Sequence, residues 1–119
     1  MNATFEKHGV RFNYPEDWEI SLQDDGPVTT VSLQAPTGLA FAVIALDQNR
    51  REPEHVADEA VEAMRSEYPE IDVVRVHEPL DGHEAIGHDL EFLSLDMPNN
   101  ASIRCYRTNR RTVFFFSQW

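Results

Sequence analysis

The stretch HEAIGHD sets His83 and His88 five residues apart with Glu84 and Asp89 beside them, the residue types of a metal site. A helical zinc motif spaces its two histidines four apart, so that both reach one ion from one face. Here the pair falls in a turn followed by a strand, where an odd separation sends side chains to opposite faces. The spacing therefore predicts solvated or hydrogen-bonded histidines, and implies no metal and no cofactor. His77 and His88 are the pair that a hairpin at Asp81-Gly82 could bring near each other. Cys105, between Arg104 and Tyr106, would be reactive if a guanidinium lay against it. Strand alternation puts Arg104 on the other face and predicts a buried, inert thiol.

The remaining chemistry is equally scattered. No Gly-x-Ser-x-Gly elbow and no phosphate-binding glycine loop occurs, and the five glycines stand singly. Gly87, inside a strand pattern, marks a bulge or a close approach of backbone. In GVRFNYPEDW the adjacent acids Glu16 and Asp17 follow Pro15 on an exposed turn, where no burial sets one apart as acid and the other as base. Acid, base and nucleophile are not assembled, so the chain reads as a binding protein and not an enzyme.

The residues best placed to meet a partner are Arg104, Arg107, Arg110 and Arg111, which surround one predicted hairpin. Guanidinium groups form charge-assisted bonds to carboxylates and other anions, so the expected partner is an acidic protein surface or an anion. The alternative is that these arginines offset the chain's own acidic helix, whose Asp58, Glu59 and Glu62 read as a solvated face. No calcium-loop pattern accompanies those acids.

Charge limits the other partners. The 119 residues carry a formal charge of −11, divided into −15 over residues 1–100 and +4 over residues 101–119. So acidic a chain repels phosphate backbones, which disfavours nucleic acid and anionic membranes. No run approaches a membrane span and the N-terminus lacks the pattern of a secretory signal, so a soluble cytoplasmic protein is expected. The single cysteine cannot form an internal disulfide.

Strands are expected at 4–7 and 10–14 around His8-Gly9, and at 28–34 after a turn at Asp24-Asp25-Gly26-Pro27. Trp18 returns the chain to the core. The continuous apolar run LAFAVIAL, 39–46, is expected to be a strand buried on both faces. One amphipathic helix is expected at 54–68, with Val56, Ala60, Val61, Met64 and Tyr68 on its apolar face and Pro69 as its stop. Strands follow at 73–78 and 84–95 about the Asp81-Gly82 hairpin. A turn at Met97-Pro98-Asn99-Asn100 precedes strands at 101–107 and in TVFFFSQW. The order predicts a single α+β domain, 1–119, with a mostly antiparallel sheet.

The aromatic strand followed by Pro-x-x-Trp in GVRFNYPEDW, the linker and amphipathic helix, and the Gly-containing turn LDGHEA before a long strand resemble the PsbP-like fold. That fold is shared by photosystem oxygen-evolving subunits, a Ran-binding nuclear import factor and bacterial DcrB-related proteins. The resemblance implies an α/β/α sandwich and protein partners. It departs at Trp119, where such proteins continue into a helix that packs on the sheet. Phe114 and Phe116 point to one face of the last strand and Phe115 and Trp119 to the other, so both faces need cover. The expectation is self-association through that strand. A small-ligand or lipid-binding module, using the space between the helix face and the sheet, is the alternative function, and an enzyme of unknown class the second.

Overall fold

Alternation and turn chemistry cut the first part of the chain into hairpins. The computed structural model describes Met1–Trp119. Strands β1 (Asn2–Lys7) and β2 (Val10–Pro15) are joined by His8-Gly9, whose φ angles of 55° and 76° make a two-residue turn. They pair only with each other. Next come β3 (Glu19–Asp25), β4 (Val28–Gln34) and β5 (Phe41–Asp47), an antiparallel meander. Helix α1 (Pro53–Glu67) then crosses one face of the sheet. From there β6 (Asp72–Leu80), β7 (His83–Ser94), β8 (Met97–Arg107) and β9 (Thr112–Gln118) run back until β9 pairs with β5. The seven-stranded sheet has the order β3-β4-β5-β9-β8-β7-β6, antiparallel throughout. The protein is α+β, with a single helix packed on an antiparallel sheet.

The helix starts where its chemistry allows. Pro53 occupies the first turn, and the Glu52 carboxylate caps the helix by accepting from the Glu54 and His55 amides at 3.1 and 2.9 Å. The helix lies one residue earlier than expected, with Tyr68 as its C-terminal cap. It buries Val56, Ala57 and Val61 against Leu90, Phe92, Ala101, Ile103 and Cys105 of the sheet. Ala60, Met64 and Tyr68 pack at the margin. No helix is long and apolar enough to cross a membrane.

The opposite face of the sheet carries a second core. Phe5 of β1 packs with Val31, Ile44, Leu46, Ala85, Tyr106 and Val113, and Phe12 of β2 stacks on Phe5 at 5.0 Å between ring centroids. Phe114 and Phe116 pack toward the helix and Phe115 toward the hairpin, as alternation requires. The β1–β2 hairpin thus takes the place that an α/β/α arrangement gives to a helix. Cover for Phe115 comes from within the chain, while Trp119 stays exposed.

Three local expectations are corrected. The run 39–46 is not a strand buried on both faces: Leu39 is exposed in the preceding turn, and Phe41, Val43 and Ala45 are half-buried. The reason is that α1 packs on β7, β8 and β9, leaving this side of β5 beyond the helix. The turn expected at Met97-Pro98-Asn99-Asn100 is strand, and the chain reverses instead at Leu95-Asp96, both with positive φ. Pro98 is tolerated because a two-residue turn leaves the Leu93–Pro98 pair outside the hydrogen-bonded set, so no ladder donor is lost. Trp18 is half-buried and belongs to neither core cluster, while its amide closes a turn by donating to the Pro15 carbonyl.

Candidate functional site

Ten Lys and Arg residues face twenty-one acids in this chain, so an unpaired cation is the unusual case. Five of the ten hold carboxylates. Arg11 lies 3.9 Å from Glu6, Arg51 reaches Asp47 and Glu59 at 3.1 and 3.0 Å, and Arg65 meets Glu62 at 3.6 Å. Arg75 meets Glu54 at 2.8 Å. Arg104 bonds Glu78 at 2.6 Å and Asp89 at 2.9 Å. Burial alone would lower the Arg104 pKa, but the two carboxylates outweigh it and hold the group above its ordinary value.

The other five, Lys7, Arg50, Arg107, Arg110 and Arg111, have no carboxylate within salt-bridge distance. They gather at one end of the sheet, where the His8-Gly9 turn, the loop after β5 and the loop between β8 and β9 meet. Backbone carbonyls hold three of them. The Arg50 Nε donates to the Thr108 carbonyl at 2.9 Å, and Arg107 Nη1 donates to the Arg50 carbonyl at 3.2 Å. Arg111 Nη1 donates to the His8 carbonyl and lies against Gly9, pinning the tip of the β1–β2 hairpin. Thr108 shapes the loop: its hydroxyl accepts from the amides of Arg110 and Arg111, each at 3.1 Å. Thr112, buried at the start of β9, donates its hydroxyl to the Arg51 carbonyl at 2.5 Å and ties the two loops together. Carbonyls orient guanidinium groups without neutralising them, so these side chains keep their positive charge.

The structure divides the four arginines singled out from the sequence. Arg107 and Arg110 are exposed on the basic pole, Arg111 braces it, and Arg104 sits within the sheet with its charge spent on Glu78 and Asp89. The acidic helix is offset by Arg51 and Arg75 rather than by this group. Arg50 joins the pole unannounced, because its place depends on which loops meet. Its φ of 55° turns the chain so that its side chain and carbonyl both engage the β8–β9 loop.

The other candidates separate as well. His83 and His88 lie on opposite faces of β7: His83 stacks on Tyr106, and His88 points to Asp58 of the helix at 3.3 Å, its Nδ1 without a partner. His77 is 3.0 Å from Glu84. No three His, Cys, Asp or Glu side chains converge as a metal site would require.

Cys105 is fully buried, and burial, with smaller contributions from Glu52 and Asp47, pushes its thiol up to about 12 from an ordinary 9.0. Below the ordinary value both states keep the proton, and the contribution to stability is complete. Between 9.0 and about 12 only the folded chain keeps it, and stability falls with rising pH by roughly 1.4 kcal/mol per pH unit. Tyr106, raised first by burial and then by Asp81, adds to the alkaline loss. Denaturant titrations at about pH 8 and about pH 10.5 are expected to show a lower midpoint at the higher pH, and Cys105→Ala a smaller drop.

Two concavities flank the helix. A groove of about 300 Å³ runs between Val56 and Ala60 of α1 and Ala45 and Phe114 of the sheet. A larger, open cleft of about 630 Å³ lies at the far end, below the C-terminus of the helix.

Neither a protein-family profile nor a curated protein matches this chain. Among solved structures it is similar to the protein of unknown function PA94 from Pseudomonas aeruginosa, at 16% identity over 98% of this chain and 81% of that chain, with a TM-score of 0.49.

Proposed function

We propose that this protein is a non-catalytic binding module that docks an acidic surface of a partner protein on the pole formed by Arg50, Arg107 and Arg110, braced by Arg111. The carrying observation is that all five cations without a carboxylate gather at one end of a chain with twice as many acids as bases. The net charge of −11 does not prevent this, because charges beyond about 8 Å are largely screened at physiological salt while the arginines act at contact. Guanidinium groups fixed by backbone carbonyls lose less freedom on binding a carboxylate than free ones would. The PsbP-like resemblance supports a protein partner but carries no partner identity.

The test is affinity capture from cells with the wild-type chain and an Arg50→Ala, Arg107→Ala, Arg110→Ala variant. Arg111 is left in place because it holds the hairpin. A partner recovered by the wild type and lost both in the variant and at raised salt is the expected result. Equal recovery of every partner removes the basic pole from the account. A second reading, a small-ligand module, is favoured by the groove between Val56, Ala60 and Phe114, whose volume lies at the lower limit for ligand pockets. Ala60→Trp would fill that groove and leave partner capture by the basic pole unchanged.

A further inference from the structure

We infer that the end of the sheet opposite the arginines is a second interaction surface, which takes a cationic segment bearing an apolar side chain from a partner protein. The inference does not rest on the basic pole. The open cleft of about 630 Å³ is bounded by the chain leaving α1 and by the ends of β6, β7 and β8. Tyr68 and Phe92, 4.4 Å apart between ring centroids, give it an aromatic wall, and Leu93 and Pro98 continue the apolar lining. Its acids are Glu67, Glu70, Asp72 and Glu91, none of which has a basic partner, and no Lys or Arg lines the cleft.

The register sharpens this. Asp72 and Glu91 are direct cross-strand partners on one face of the β6–β7 pair, a like-charge pairing that works against the sheet. Nothing within the chain relieves it, whereas an arriving Lys or Arg would. Beyond the acids, the β7–β8 tip exposes Leu93, Leu95 and Met97, which are 67, 94 and 55% accessible. Trp119, 58% accessible, pairs with Asn100 on the adjoining stretch of β8. Large apolar side chains gathered at one end and rimmed by charge are characteristic of interaction surfaces.

The rim selects the occupant. Four uncompensated carboxylates repel nucleic acid and anionic lipid, and a second copy of this chain offers no exposed large apolar residue beside Arg50, Arg107 or Arg110 in sequence. A segment with Lys or Arg beside Leu or Phe satisfies the acids and covers the exposed side chains. Its cation can also settle on the face of Tyr68, which is half-buried.

The experiment uses dye-labelled decapeptides in fluorescence anisotropy: one alternating Lys with Leu or Phe, one with Lys and Ser, and one with Gln and Leu. The basic apolar peptide is expected to saturate the full chain and to bind about tenfold tighter than either control. Glu70→Gln, Asp72→Asn, Glu91→Gln together are expected to weaken it about tenfold, while Glu16→Gln, Asp17→Asn, Glu19→Gln, with the same net charge, leave it unchanged. Leu93→Ser is expected to lower affinity for the basic apolar peptide and not for the Lys and Ser peptide. Equal weakening by the two triple variants would reduce the effect to general electrostatics and overturn the inference. So would the absence of saturable binding, or concentration-dependent self-association that only the cleft variant abolishes.

Discussion

Replacing Gly87 with alanine is expected to cost about 3 kcal/mol of stability, a large share of the 5–15 kcal/mol available to a domain of this kind. A Cβ at this position would overlap the carbonyl oxygen of Ile103 and stand 2.7 Å from its carbonyl carbon. The obstacle is backbone of the neighbouring strand, not the end of a flexible side chain, so relief requires β7 and β8 to separate. Those strands carry Leu90, Ala101, Ile103 and Cys105 under the helix, and a shift there loosens the whole core cluster. Urea unfolding followed by tryptophan fluorescence should show a markedly lower midpoint with an unchanged slope. A midpoint equal to that of the wild type would mean that the close approach is wrong.

Leu90→Ala is the second large effect, expected to cost about 2–5 kcal/mol through lost burial and the cavity left behind. Leu90 is 1% exposed and packs among Val56, Ala57, Val61 and Ile103. Three residues along the same strand, Leu93 points to the opposite face and is 67% exposed. Leu93→Ala is expected to stay within about 0.5 kcal/mol of the wild type. Thermal unfolding of the two variants tests the register of β7, since a one-residue slip would exchange their costs.

How far this was readable from sequence varies with the range of the interaction. The opposed faces of Leu90 and Leu93, the faces of Phe114, Phe115 and Phe116, and the meaning of Gly87 as a close approach follow from period-two alternation and the lack of a side chain. The helix followed from its period, but Glu52 as its cap did not, because glutamate is an uncommon cap and only the geometry shows it accepting from two amides. The turn at Leu95-Asp96 was hidden because neither residue is glycine, while Pro98 and Asn99 beside it carry stronger turn signals.

The site was less legible than the fold. Arg104 looks like its neighbours in sequence, and only the pairing of β6, β7 and β8 brings Glu78 and Asp89 to it from two other strands. Arg50 is distant in sequence from the loop it joins, and no local pattern announces that meeting. The docking of the β1–β2 hairpin over Phe115 is likewise long-range. Two short strands say that they pair, and do not say what they cover.

Hydrogen exchange on the complex with the captured partner tests whether the unpaired arginines are its contact surface. Slowed exchange at the amides of residues 48–51 and 107–111, lost in the Arg50, Arg107, Arg110 alanine variant, is the predicted result. Partner-induced protection elsewhere, with those two loops unchanged, would contradict it.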